Sequence, residues 1–437
     1  MSERVKLERR GAGVRHLNRL TTFVLAGGRG ERLLPLTRDR AKPAVTFGGH
    51  YRIIDFTLSN CVNSGIRRVY ILTQYKSISL ARHIGIGWSI FPAELEEFME
   101  VIPAQQRYGD TWYRGTADAI YQNIYTIARD NRELILILAG DHIYKMDYSK
   151  MVRFHLETNA EVTVGAVEMP VESGSQFGVI QIDEDRRIVD FQEKPEEPSP
   201  LPGKPSAIYA SMGIYLFDRQ VLLEELIPAV SEREGTDFGL DILPSMTDRR
   251  RLFAYEFEDQ NRRTPPYWRD IGTLDAFYEA NMDLVAVDPQ FNLYDSYWPV
   301  RTHQRQFPPA KTVFADPGEG ARRGEVLDSL VCNGSIVSGG RVRRSILSPR
   351  VRVNSFAQVD DSVIMDEVEV GRHARIRRAI VDKNCQILPG TVIGYDLERD
   401  RSRFVVTEGG VVVIPRGRII GPDDDRPLWV DPVDDSP

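Results

Sequence analysis

The stretch TTFVLAGGRGERLLPLT, Thr21 to Thr37, decides how the chain is read. Its apolar run, Phe23 to Ala26, stops at Gly27-Gly28-Arg29-Gly30. A short apolar run closed by glycines reads as a buried strand entering a tight loop. Glycines directly after a strand leave backbone N–H groups open, and such a nest accepts phosphate oxygens. Arg29 and Arg32 would add charge-assisted donors. The loop is not a P-loop, because no Gly-Lys-Ser/Thr follows, and Leu33 stands where a dinucleotide fingerprint needs its third glycine. On its own a structural turn explains it equally well. RAKPAV, Arg40 to Val45, tips the balance: Lys42 follows soon after, with Pro43 fixing the backbone behind it. A lysine point charge beside a phosphate cradle suits a leaving pyrophosphate.

Outward from this loop, Thr21 to Leu284 alternates between strand and helix patterns. RRVYILTQ (from Arg67) and ELILILAGDH (from Glu133) read as strands, and GTADAIYQNIYTIARD (from Gly115) as a helix between them. YSKMVRFHLETNA reads as a helix and EVTVGAVEM as a strand. FGVIQIDEDRRIVDFQEKP reads as a hairpin and YASMGIYLFD as a further strand. This alternation predicts an α/β layer on a largely parallel sheet. Asp141 follows an apolar strand, at the edge where α/β sheets bind ligands. With Asp270 in YWRDIGT it offers two carboxylates, which suit Mg²⁺. Glu193 and Lys194 end a strand, and Ser211 and Tyr215 lie on one face of another.

The C-terminal region has a different rhythm. Leu330, Ile336 and Val342 are six apart; a step of five leads to Leu347, Val353 and Val359. The same step leads to Ile364, Val370 and Ile376, then to Val381, Ile387 and Ile393. Each triplet begins 17 residues after the last, and all twelve positions are aliphatic. A six-residue aliphatic repeat is the signature of a parallel β-helix, with the step of five a coil shortened at one corner. Boundaries follow: an N-terminal segment 1–20, a first domain 21–300, a Pro- and Gly-rich linker 301–325, a β-helix 326–422 and an acidic, flexible tail 423–437.

Composition narrows the function. The 437 residues carry 27% charged side chains and a net charge of −7, which argues against a general nucleic-acid surface. Cys61, Cys332 and Cys385 show neither metal spacing nor a disulfide framework, which fits a reducing cytoplasm. The charged start MSERVKLERR predicts no signal peptide, and no run of 18 apolar residues predicts a transmembrane helix.

LAGGRGERLLPLTRDRAKPAV resembles the signature of the sugar-nucleotide pyrophosphorylases. YRIIDFTLSNCVNSG, PAQQR, WYRGTADAIYQN, LAGDHIYKMDY, FGVI, EKP, SMGIYLF and YWRDIGTLDAFYEANMDL narrow the resemblance to the bacterial glucose-1-phosphate adenylyltransferases, over nearly the whole chain. The resemblance implies a Rossmann-like nucleotidyltransferase domain with a mostly parallel mixed sheet, followed by a left-handed parallel β-helix. It implies ADP-glucose formation from ATP and glucose 1-phosphate, with Mg²⁺, for glycogen synthesis. Arg32, Lys42 and Asp141 would be catalytic, and Asp141 and Asp270 would hold the metal. Leu25, Gly27, Gly28, Arg29, Gly30, Gln74, Tyr113, Gly115 and Thr116 would bind ATP, the last four against adenine. Gly178, Glu193, Lys194, Ser211, Tyr215, Asp237, Phe238 and Trp268 would bind glucose 1-phosphate; Phe238 and Trp268 are read equally well as core.

The family is usually homotetrameric and tuned by metabolites. Arg40, Arg52, Lys383, Arg416 and Arg418 match or approximate its basic effector cluster. Asp39 and Thr46 depart from it, standing where members activated by fructose 1,6-bisphosphate carry lysine and histidine. PAQQR and Trp112 are candidates for a loop coupling the two sites. Two other readings stay open: an enzyme using another nucleotide, and a non-catalytic regulatory homologue. Retention of Arg32, Lys42, Asp141 and Asp270 weighs against the second.

Overall fold

The computed structural model describes residues 16–107, 110–130, 132–232, 235–318 and 320–424. The expected N-terminal segment and acidic tail lie for the most part outside the described residues. Two compact units emerge. The first runs up to Gly28 and includes Phe56–Trp268 and Ser296–Val300; the second comprises Arg29–Asp55, Arg269–Asp295 and the chain from Arg301 on.

The first unit is built on nine strands. In chain order they are β1 (Leu20–Leu25), β2 (Arg68–Thr73), β3 (Phe98–Pro103), β4 (Leu134–Ala139), β5 (Val162–Pro170), β6 (Gly178–Ile182), β7 (Ile188–Glu193), β8 (Ala207–Asp218) and β9 (Leu252–Glu256). Spatially the order is β7-β6-β8-β4-β1-β2-β3, with β5 paired to β8 and β9. The sheet is mixed. Pairings β1–β2, β1–β4, β2–β3 and β5–β9 are parallel. Those of β8 with β4, β5 and β6, and of β6 with β7, are antiparallel. β1 and β4 are buried along nearly their whole length, as central strands covered on both faces are, and β4 is apolar throughout. Phe23, Ile135, Ile137, Phe217, Phe238 and Leu243 belong to one core.

Register places the chemistry. Leu25 pairs with Ala139, and Gly140 N donates to Leu25 O. The loop from Gly27 and the carboxylate of Asp141 therefore leave two parallel strands at the same edge. The helix expected over Gly115–Asp130 is two helices, α1 (Thr116–Tyr121) and α2 (Ile124–Asp130). Asn123 makes the break: its amide donates to Ala119 O and to the Tyr113 hydroxyl, so it serves the loop as well as the helix.

The second unit carries three sheets of short, largely parallel strands, visited in rotation by a coiling chain. Val342, Val359, Ile376 and Ile393 stack in one column, Val353, Val370 and Ile387 in another, and Leu347, Ile364 and Val381 in the third. All are buried. The first expected coil is corrected by one residue. Ile346 pairs with Leu330 and Arg352 with Ile336, so Val331 and Val337 occupy the columns instead. That coil is a residue shorter than the rest, and both alternatives are aliphatic, which hid the shift. Lys311–Val313, within the segment expected to be linker, already pairs with Ile336–Ser338. Corners recur as well: Arg344, Asp361 and Arg378 have φ of 41°, 47° and 48° at 17-residue spacing, a left-handed bend that closes each turn. After Ile393 the chain leaves the coil through a helix, Leu397–Arg403, and returns at Val412–Ile414.

The helix Leu274–Asp283 ties this unit together. Asn281 Oδ1 accepts from Gly48 N (2.9 Å), Tyr278 donates to Asp361 O (2.7 Å) and Asp275 accepts from Thr407 (2.5 Å). No helix among the described residues is long and apolar enough to cross a membrane. The coil yields a stability prediction. Gly394 has φ of 79°, and a Cβ there would lie 1.8 Å from Arg377 O. Gly394→Ala should lower stability by more than about 2 kcal/mol, read as an earlier thermal transition of the coil.

Candidate functional site

The glycine loop is open where a ligand needs it. A Cβ on Gly28 would touch nothing within 4 Å, whereas one on Gly27 would press on Gln74 at 3.3 Å. Gly27 therefore lets the loop pack on the strand end carrying Gln74. Gln74 clasps the next segment reciprocally: its Nε2 donates to Tyr113 O (3.2 Å) and its Oε1 accepts from Tyr113 N (2.5 Å). Asn123 holds the Tyr113 hydroxyl at 2.9 Å. Gly115 is obligatory for a further contact, since a Cβ would lie 2.3 Å from Thr236 O.

Several expected sugar-side residues come together in the first unit. Glu193 lies against two glycines: added Cβ atoms on Gly178 and Gly239 would fall 2.9 and 2.5 Å from its Oε2. Lys194 Nζ sits 3.0 Å from Glu193 Oε1 and its side chain is 60% exposed, so the ammonium can reach a ligand. Its φ of 47° is uncommon for a residue with a side chain and marks a held conformation. β8 is bulged between Ser211 and Tyr215, with Gly213 at φ 65°, yet the two hydroxyls remain 3.5 Å apart. Burial pushes the Tyr215 phenol up, with Asp237 and Glu193 acting in the same direction, so it stays protonated. Phe238 is a core residue, packed on Tyr215 and Phe217 at ring distances of 5.5 and 5.7 Å. Trp268 is edged by Phe177 and His142, and its buried indole N–H has no acceptor among the described residues. His142 Nε2 is 3.6 Å from Asp141 Oδ1, and the Asp141 side chain is 32% exposed.

The second unit gathers the expected cations around Asp270. Lys42 Nζ lies 3.0 Å from Asp270 Oδ1, with side-chain exposures of 10% and 25%. A Cβ on Gly272 would sit 3.1 Å from Asp270 Oδ2 and 3.5 Å from Arg32 Nη2, which puts Arg32 on the same carboxylate's flank. Gly30, at φ 68°, would press a Cβ on Lys42 Cβ at 3.1 Å, and its carbonyl accepts from Thr37. Arg32, Lys42, Asp270 and the end of the glycine loop are thus one cluster. Arg29, by contrast, is solvent-exposed and faces Glu31.

Of the expected effector residues, three share one charged group. Arg40 is buried against Asp382 at 2.5 Å, and Lys383 pairs with Asp366 at 2.8 Å. Arg52 donates to Ala44 O. Burial pushes the Lys383 ammonium down from its usual range; Asp366 opposes this, and Arg52 and Arg40 reinforce it. Arg418 acts on the Cys385 thiol, and Arg416 is exposed. Asp39 faces Arg38 at 3.3 Å, and Thr46 is buried opposite Arg52 in a two-strand hairpin. Asp382 and Asp366, the counter-charges, were not singled out from sequence: an acid in a repeat corner looks like any surface residue. Asn123 and Gly239 were missed too, although a glycine directly after Phe238 was a signal of close approach.

Residues 21–286 match the nucleotidyl transferase family, and residues 308–414 match the GlmU-like C-terminal hexapeptide family. A glucose-1-phosphate adenylyltransferase of Rhodopirellula baltica is 56% identical over 407 residues, covering 92% of this chain and 91% of that protein. Proteins of the same name from Koribacter versatilis and Methylococcus capsulatus are 54% and 52% identical, covering 90% and 92% of this chain and 94% and 96% of theirs.

The glycines separate packing from access. Gly115→Ala should cost about 1–3 kcal/mol by overpacking against Thr236. Gly28→Ala, facing open space, should stay within about 0.5 kcal/mol of the parent in the same denaturant titration.

Proposed function

The chain belongs to the nucleotidyl transferase family, and within it to the glucose-1-phosphate adenylyltransferases; on that premise we propose that it converts ATP and glucose 1-phosphate to ADP-glucose and pyrophosphate. ADP-glucose is the glucosyl donor for glycogen synthesis. The observation that carries the chemistry is the Lys42–Asp270 pair, flanked by Arg32 and seated on Gly30.

The attacking oxygen belongs to the phosphate of glucose 1-phosphate, whose second pKa, about 6 for a phosphomonoester, makes it largely dianionic at neutral pH. No general base is required. That oxygen bonds to the α-phosphorus of ATP; the α–β bridging bond breaks, and its electron pair leaves with pyrophosphate. The enzyme's task is to position mutually repelling anions and neutralise their charge. Lys194 holds the sugar phosphate, Glu193 accepts from a glucose hydroxyl, and Ser211 and Tyr215 complete that side. Backbone N–H groups of Gly27 to Gly30, with Arg29, take triphosphate oxygens. Arg32 and Lys42 receive the charge that develops on pyrophosphate. Adenine lies against Gln74, Tyr113 and Gly115.

Members of the family generally use a divalent metal, and the donors fit Mg²⁺: Asp141 and Asp270 are partly exposed carboxylates, and Asp270 is already balanced by an ammonium. When bound, Mg²⁺ would supply positive charge to the phosphates from those two aspartates. As Lys42 turns to an incoming phosphate, an oxygen of Asp270 becomes available. We also propose that the C-terminal coil is left-handed, that the protein is a cytoplasmic homotetramer, and that Arg40, Arg52, Lys383, Arg416 and Arg418 receive an anionic effector.

Mg²⁺-dependent pyrophosphate release should be greatest with ATP among the nucleoside triphosphates; equal or better release with UTP, dTTP or GTP would assign another base. Arg32→Ala, Lys42→Ala and Asp141→Ala should each lose about 100-fold or more in turnover while remaining folded. Lys194→Ala should mainly raise the KM for glucose 1-phosphate, and an unchanged KM would remove it from the phosphate site. Asp39, an acid where a bisphosphate would need a cation, predicts weak activation by fructose 1,6-bisphosphate beside fructose 6-phosphate or pyruvate. An activator titration with the three metabolites decides it.

A further inference from the structure

Thr116 and Asp237 fall in segments that the preceding reading gives to different substrates, and the structure bonds them to each other. Thr116 Oγ1 donates to Asp237 Oδ2 at 2.9 Å and accepts from Phe238 N at 3.0 Å. Asp237 Oδ1 accepts from Gly239 N and Leu240 N, at 2.8 and 3.3 Å, capping the short helical turn Phe238–Ile242. A carboxylate has about four acceptor positions, so three are already used inside the protein. Asp237 is therefore poorly placed to be a direct ligand of a sugar hydroxyl.

The backbone makes the same joint. The first N–H groups of α1, which have no partner within their own helix, are satisfied by Thr236 O: Ala117 N at 2.9 Å and Asp118 N at 3.2 Å. On one side of the joint lies the Tyr113–Gly115 segment clasped by Gln74. On the other, Gly239 supports the Glu193 carboxylate and Phe238 packs on Tyr215.

We propose that Thr116 is a positioning residue that couples the two substrate subsites through Asp237, rather than a ligand of adenine. The inference rests on the proposed assignment of Tyr113–Gly115 to the nucleotide and of Glu193 and Tyr215 to the sugar. A nucleotide that orders the first segment fixes the Thr116 hydroxyl; Asp237 and its capped turn are held in turn, and Glu193 is presented to the sugar. Linkage makes the effect reciprocal: each ligand tightens the other by the same factor.

The test measures glucose 1-phosphate binding to the full chain by calorimetry, with Mg²⁺, in the absence and presence of saturating α,β-methylene ATP. The wild-type protein should bind the sugar phosphate about 5-fold or more tightly with the analogue present. Thr116→Val, which keeps the shape and removes the hydroxyl, should bring that factor close to one. Thr116→Ser should restore it. Should Thr116→Val fail to fold, Thr116→Ala, which also removes the hydroxyl, takes its place with the same expected loss. Wild-type coupling retained in the folded variant, equal loss in Thr116→Ser, or no coupling in the wild-type protein would each overturn the inference. Failure of the wild-type protein to release pyrophosphate from ATP and glucose 1-phosphate would instead overturn the functional reading beneath it.

Discussion

Lys42 and Asp270 stand 3.0 Å apart with most of their surface withdrawn from water. Either charge alone would be costly to hold there. At an effective dielectric of about 20 their gross attraction is roughly 5 kcal/mol, much of it offset by desolvation. The net hold is consequently modest, and an anion with several negative charges can compete for Lys42. Arg32, on the flank of the same carboxylate, adds a second cation. On the proposed function, this site must gather polyphosphate and then let pyrophosphate go, which needs cations that are stored without being locked. The pair meets that need, and the glycines around it, Gly30 and Gly272, exist because a Cβ would press on the charged side chains.

The same logic of stored charge recurs farther along the second unit, with a different balance. Arg40 and Asp382 are almost completely buried at 2.5 Å, a much tighter arrangement than Lys42 with Asp270. Breaking such a pair leaves an uncompensated buried charge, so an anion gains little by displacing Asp382. Lys383 is the more available partner: burial already disfavours its ammonium, and a further anion beside it would relieve that penalty. Of the proposed effector cations, Arg40 therefore builds the platform, and Lys383 with the exposed Arg416 is better suited to respond.

The repeat was the most legible part of the fold, because one aliphatic side chain per face must point inward on every turn. Ten of the twelve expected inward positions stack as read. Leu330 and Ile336 do not, since Leu330-Val331 and Ile336-Val337 each offer two aliphatic residues and periodicity alone cannot choose between them. The strands around Phe23, Tyr70, Ile137 and Val164 were legible for a related reason, being apolar runs bounded by turns. The break between α1 and α2 was not. Asn123 is an acceptable helical residue, and the bonds of its amide to Ala119 O and to Tyr113, ten positions away, cannot be read from local pattern.

Within the candidate site, residue identity was easier to read than residue role. Ser211 and Tyr215 stay together as the strand pattern implied, even across the bulge at Gly213, because four residues along a strand return a side chain to the same face. Phe238 and Asp237 illustrate the opposite case. An aromatic beside a sugar pocket and an aromatic in a core have the same sequence appearance, and burial against Phe217 decides for the core. An aspartate that grips a ligand and one that caps a turn are equally alike until its acceptors are counted. Such support is what a site of many anions requires. On the proposed assignment, the parallel edge at Leu25 and Ala139 carries the phosphate loop and Asp141, the antiparallel strands carry the sugar side, and a joint between their loops would add to the pairing of the strands. The fixed geometry of Thr116 and Asp237 supplies one, at the point where α1 begins and its own backbone donors need a partner.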